Sequence, residues 1–197
     1  MVIQETRRCA GIIRRLLDFA REKAPEKNFS DLNRLIERTV GLVSESAKAA
    51  DVEIQLELDP SLPTVWMDEN LVEQVVMNML VNAQHAIEGG GRIEIRTRRY
   101  RDYRRSAPNA EPADMAEIRI RDTGCGIPPE NLQKIFDPFF TTKGVGKGTG
   151  LGLSVSHGTI EAHGGSIEVE STVGEGTEFR VYLPLEDSPG EVRGISE

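Results

Sequence analysis

Asn78 and Asn82 lie four positions apart in a stretch of helical period, so both side chains project from one face of a helix. A neutral amide oxygen suits Mg2+ that is already shared with triphosphate oxygens and water, because Mg2+ keeps few protein ligands. The same amides also suit capping or buried hydrogen bonding, and the pair alone does not choose between these uses. Three glycine clusters follow in order: Asp122-Thr-Gly124-Cys-Gly126, Gly146-Lys-Gly148-Thr149-Gly150-Leu151-Gly152, and Gly174-Glu-Gly-Thr177. Without a Cβ, a backbone can bring its amides close to a polyanion and accept positive φ. The run from Gly148 to Leu153 leads into a helix, whose first amides and dipole can take phosphate oxygens. Each cluster alone is only a turn, and Asp122 alone is a turn aspartate. As an ordered set they bracket a pocket with an acid, an amide metal ligand and a phosphate cradle.

The elements that must position these residues follow from hydrophobic period. Leu32, Leu35, Ile36, Val40 and Val43 predict a helix over Asp31–Ala50, with Ser30 or Asp31 as N-cap. Strict alternation over Val52–Leu58 predicts a strand with one wet face. Leu71, Val75, Val76, Met79 and Leu80 predict the asparagine-bearing helix over Asp68–Ile87, stopped by the Gly89–Gly91 run. Arg92–Thr97 and Glu117–Arg121 alternate as neighbouring strands, and Ser166–Glu170 with Glu178–Leu183 as an antiparallel pair closed by Val173–Thr177. A helix from the second glycine cluster reaches His163. Helices alternating with mostly antiparallel strands predict an α+β fold, a two-layer sandwich of a mixed, largely antiparallel sheet packed on helices. Between the first strand pair, Arg98–Arg105 interleaves arginine with tyrosine. It reads as a long solvated loop or as a surface for phosphates or an acidic partner.

The ordered boxes resemble the ATP-binding fold shared by gyrase, histidine kinases, the dimeric heat-shock chaperone and a mismatch-repair ATPase (the GHKL superfamily). The residues between them resemble the catalytic domain of sensor histidine kinases. That resemblance implies ATP and Mg2+ as cofactors, with Asn82 in the asparagine box (Asn78–Ala86) as the metal ligand. His85 falls where related kinases carry a basic residue, able to touch phosphate when protonated or to stay a surface histidine. Asn78 stands where the hydrolytic branches carry a glutamate that activates water. An amide cannot take that proton, and Glu73 points to another face of the helix, so the site is expected to favour a kinase over an ATPase. The resemblance assigns Asp122 to the adenine amino group, Gly124 and Gly126 to close contact with the base, and Thr177 to holding that aspartate or a bridging water. Phe136-Asp-Pro-Phe-Phe140 is similar to the F box at one end of a short ATP lid. Nucleotide contacts carry over to Ile127, Phe140, Thr141, Thr142 and Lys143, then to Gly148, Thr149, Gly150, Leu151, Gly152 and Leu153. Lys143 is expected to stabilise charge on the γ-phosphate, and Asn78, Asn82 and Lys143 form the catalytic set.

The 197 residues suffice for one ordinary domain with an appendage. A net charge of −8 argues against nucleic-acid binding, which calls for a basic face. Cys9 and Cys125 stand apart with no metal-type spacing, so a reduced, cytoplasmic protein is expected, with a membrane only through a region upstream of this segment. Ala10, Ile13, Leu17 and Ala20 stripe an N-terminal amphipathic helix, which resembles the second helix of the dimerisation hairpin of these kinases. The expected organisation is therefore 1–24 partial hairpin, 25–30 linker, 31–186 catalytic domain and 187–197 disordered tail. None of His85, His157 and His163 is followed by an acidic residue, unlike the family's phosphoacceptor. The acceptor histidine is expected outside this segment, the partners being a homodimer mate through the hairpin and a response-regulator receiver domain. A GHKL-type ATPase or a nucleotide-dependent partner-binding module is the alternative.

Overall fold

The computed structural model describes residues 25–102, 113–142 and 149–185. The proposed N-terminal helix, Lys143, Gly148, residues 103–112 and the tail lie outside the described residues. Asp31 caps the first helix, α1 (Leu32–Ala49), its side chain accepting the Arg34 N–H at 3.0 Å. Leu32, Leu35, Ile36, Thr39, Val43 and Ala47 form its buried stripe, while Val40 is only half-buried. Asp68 caps α2 (Glu69–Ala86) in the same way through the Leu71 N–H, and Val72, Val75, Val76, Met79, Leu80 and Ala83 face inward. Leu71, expected inward, is half-buried, and Val72 takes its place in the core.

The strands are β1 (Asn28–Ser30), β2 (Val52–Glu57), β3 (Val65–Met67), β4 (Gly91–Asp102), β5 (Ala113–Asp122), β6 (Ser166–Thr172) and β7 (Gly176–Pro184). Five of them form one sheet in the order β2-β4-β5-β7-β6, parallel only between β2 and β4. One face carries Ile93, Ile95, Ile118, Ile120, Phe179 and Val181 against α1, α2 and α4 (Gly152–Ala162). A single turn, α3 (Pro129–Leu132), precedes the F box. The other face alternates arginine and glutamate, with pairs such as Arg180–Glu170 at 2.9 Å. The result is the expected α+β two-layer sandwich.

Two expectations change. The stretch expected as linker contains β1, which pairs antiparallel with β3 and stacks Phe29 on Trp66 at 4.8 Å between ring centres. The basic stretch expected as loop is strand through Asp102, because its charges find cross-strand partners. Arg98 pairs with the buried Glu117, Arg101 meets Asp114 at 3.3 Å, and Tyr100 packs on Tyr182 at 5.1 Å.

Candidate functional site

The site forms where the C-terminal half of α2, the end of β5, the β6–β7 hairpin and α4 converge. Asp122 is the last residue of β5 and only 4% exposed. Its Oδ1 accepts the N–H of Gly124 at 2.8 Å and that of Thr177 at 3.3 Å. Burial pushes the carboxyl above its ordinary range, and these two N–H groups pull against that shift. Among the described residues Oδ2 carries no hydrogen bond, so one carboxylate oxygen is fixed and the other is left to accept from a ligand.

Gly124 permits the join between this loop and α2. A Cβ there would stand 2.7 Å from the Ala86 backbone, and the neighbouring Cys125 N–H donates to the Ala86 carbonyl at 2.9 Å. That docking brings Asp122 beside the last turns of α2, which carry the half-buried Asn82 and the exposed His85. The loop is held from its other side by Ser171. Its hydroxyl oxygen accepts the Ile127 N–H at 2.8 Å, donates to the Gly176 carbonyl at 2.9 Å, and lies 2.9 Å from Thr177 Oγ1. With the Ser171 proton on that carbonyl, the Thr177 hydroxyl is the donor between the two. Thr177 thus holds Asp122 through its backbone, and its hydroxyl turns to Ser171. Ser171 is absent from the residues the sequence pointed to; the strands extend further into the hairpin than their alternation predicts, and this places Ser171 directly opposite Thr177.

Asn78 has a different use from an open catalytic amide. Its Nδ2 donates to the Gly152 carbonyl at 3.4 Å and to Ser156 Oγ at 3.3 Å, tying α2 to the first turn of α4. At the other end of the same helix pair, the Asp68 N–H donates to His163 Nε2 at 2.9 Å. The two helices therefore run antiparallel, and Asn82, one turn past Asn78, lies beyond the start of α4. His163 Nδ1 donates to the Thr159 carbonyl at 2.7 Å, which fixes the neutral tautomer. Burial holds its pKa below the ordinary imidazole value.

The F box packs on α4 through Phe136 and His157, whose ring centres are 5.0 Å apart. Phe139 has φ +69° and is 60% exposed, a conformation that costs a side-chain-bearing residue about 1–3 kcal/mol. The Phe139 N–H donates to the Gly150 carbonyl at 2.9 Å and holds it there. Gly150, at φ +65°, has no room for a Cβ against the Phe139 backbone. The bond brings the two ends of the segment containing Lys143 together. Phe140 packs on the core, Thr141 and Thr142 are exposed, Leu151 is buried, and Thr149 and Leu153 are half-buried. No group of three His, Cys, Asp or Glu able to hold a metal occurs among the described residues. Mg2+ keeps few protein ligands, and an amide oxygen such as that of Asn82 is a donor of the kind it accepts beside phosphate and water oxygens.

The sequence model described as "Histidine kinase-, DNA gyrase B-, and HSP90-like ATPase" matches residues 67–187. The sensor kinase CckA of Brucella abortus (strain 2308) is 40% identical over 92% of this chain, and the chain covers 19% of that protein. The signal transduction histidine-protein kinase AtoS of Escherichia coli (strain K12) is 39% identical over 94% of this chain, which covers 28% of it. Among solved structures, the catalytic domain of histidine kinase ThkA superposes with a TM-score of 0.67 at 31% identity, over 81% of this chain and 95% of that one. ThkA in complex with the response regulator protein TrrA gives a TM-score of 0.72 at 27% identity, over 93% of this chain and 49% of that one.

Proposed function

Because this chain belongs to the family of histidine kinase-, DNA gyrase B- and HSP90-like ATPases, we propose that it is the ATP-binding catalytic domain of a two-component sensor histidine kinase. It binds Mg-ATP and transfers the γ-phosphate to a histidine outside this segment, for onward transfer to a response-regulator aspartate. A cytoplasmic location and dimerisation through the N-terminal helix belong to the same reading. No helix among the described residues is long and apolar enough to cross a membrane.

In this reading the Oδ2 of Asp122 accepts from the adenine amino group, while Gly124 and Gly126 let the base lie on the backbone. Guanine, with a carbonyl at that position, offers no donor. The start of α4 presents N–H groups and the positive end of its dipole to phosphate oxygens. Mg2+ bound with the nucleotide neutralises triphosphate charge, and Asn82 Oδ1 is the protein group that would hold it. Lys143 supplies the cation for the transferred group.

The observation that carries the kinase reading over an ATPase is the state of Asn78. The residue at the water-activating position is an amide, and its N–H groups are spent on Gly152 and Ser156. No base stands there to take a proton from water. The test follows γ-labelled phosphate while the purified chain is held with Mg-ATP and bound nucleotide is measured in the same sample. Binding with almost no phosphate release is expected, with label moving to protein once a histidine-bearing hairpin is supplied. Sustained phosphate release from the chain alone would refute the kinase reading.

A further inference from the structure

Three separate parts of the fold cross at one residue far from the adenine end of the site. The chain enters the described domain at residues 25–27, and the Glu26 N–H donates to Asp68 Oδ2 at 2.9 Å. The other carboxylate oxygen of Asp68 caps α2 through the Leu71 N–H at 3.2 Å. The Asp68 backbone N–H goes to His163 Nε2 at the C-terminus of α4. β1 reinforces the crossing, since Asn28 pairs with Met67 immediately before Asp68. The position of the incoming segment therefore sets the position of Asp68 through a side-chain bond and through a strand register.

His163 is 4% exposed, and both ring nitrogens are engaged, one by Asp68 and one by Thr159. Lys27 on the incoming segment and Asp68 are the charged groups acting on it. α4 is a single rigid helix of 11 residues, about 16 Å long. Its rear end is fixed by His163 and its front end, fastened by Asn78, is the phosphate end in the function proposed above. A rigid helix held at its rear transmits a displacement there to its front, as an apolar contact free to slide would not.

We propose that Asp68 and His163 are positioning residues: they form a joint through which movement of the chain entering at Glu26 is passed to α4 and so to the phosphate end of the nucleotide site. The joint reaches the phosphate end directly through α4, whereas the Asp122 carboxylate is fixed by Gly124 and Thr177 and meets α2 only where Cys125 docks on Ala86, at the opposite end of that helix from Asp68. The coupling is reciprocal, so nucleotide phosphates must also act on the entering segment. This inference rests on the Mg-ATP reading of the site.

The test uses the whole 197-residue chain. Amide hydrogen exchange of Asn28–Ser30 and Val65–Met67 is measured alone, with saturating adenosine, and with saturating Mg-ATP. Mg-ATP is expected to slow exchange there severalfold while adenosine does not. His163→Phe, which keeps a ring and removes both bonds, is expected to abolish that response. It should also weaken Mg-ATP binding about tenfold, a coupling of ordinary size between two sites, with adenosine affinity held within about twofold. His163→Gln serves as the milder variant and is expected to move the same two readouts in the same direction by less. If the unaltered chain binds Mg-ATP and exchange at these strands does not respond, the joint is refuted and the site reading stands. Equal losses for adenosine and Mg-ATP in both variants would likewise refute it, since that is what a general packing defect gives. If the unaltered chain binds no Mg-ATP, the reading of the site itself falls and takes the joint with it.

Discussion

Replacing Asp122 by Asn separates binding from stability in a way that only the proposed role produces. The substituted side chain keeps Oδ1, so it still accepts from Gly124 and Thr177. The change falls on Oδ2, where an acceptor becomes an amide donor facing the adenine amino group. A hydrogen bond to a charged acceptor, about 1.5–3 kcal/mol, is lost, and two donors are left facing each other at a further cost of about 1 kcal/mol. The sum of about 3 kcal/mol corresponds to somewhat over a hundredfold in Kd. The free protein should not suffer, because burial already disfavours the charged carboxylate and raises its pKa. Removing the charge relieves that penalty. Thermal unfolding of the nucleotide-free variant is therefore expected at the same temperature or slightly higher. Fluorescent ATP-analogue titration should show the affinity loss, and GTP, whose carbonyl can accept from the new amide, should lose less or gain. A variant that binds ATP within about threefold of the unaltered chain would refute the adenine role, as would an unaltered chain that binds ATP and GTP equally. A variant that unfolds much more readily would show that Asp122 is held for the fold.

Asn82→Ala is expected to remove the Mg2+-dependent part of ATP affinity and leave metal-free binding nearly unchanged, as read by titration with and without EDTA; unchanged Mg-ATP binding would sink the metal assignment. Ser171→Ala leaves the Ile127 N–H and the Gly176 carbonyl without their partner and should cost about 1–3 kcal/mol of unfolding free energy in denaturant titration. Nucleotide affinity should fall with it because Thr177 loses its anchor, and an unaffected affinity would limit Ser171 to the fold. His163 is neutral in the folded protein with its pKa lowered, chiefly by burial, so the unfolded chain binds the proton first as pH falls. Its contribution to stability is present above the ordinary imidazole value of about 6.5 and is lost as pH drops below it. Denaturation midpoints at pH 7.5 and pH 5.5 should differ more for the unaltered chain than for His163→Gln, and equal differences would refute the assignment.

The elements that hold most of the site were legible because period reports directly on which face of a segment is buried. α1, α2 and the β6–β7 hairpin each span enough residues for the pattern to repeat, and the shared face of Asn78 and Asn82 follows from their spacing on α2. The glycine clusters were readable as a set because close approach of backbone excludes every other residue type, as Gly124 against Ala86 shows. β1 and β3 escaped because three residues give too few alternations to stand out from a linker. Arg98–Asp102 read as a solvated loop because charge pairing across strands has no signature along one strand.

What the chain by itself determined is therefore the inventory: the longer helices and strands, the acid, the amides and the glycine clusters in their order. The tertiary structure decided the partners. It gave Asn78 to α4, turned the Thr177 hydroxyl to Ser171, and joined Asp68 to His163 across 95 positions of sequence. The reason is physical. Local period and propensity act over a few residues, whereas a hydrogen bond between distant residues exists only after the sheet and helices have closed around a common core and brought donor and acceptor within about 3 Å.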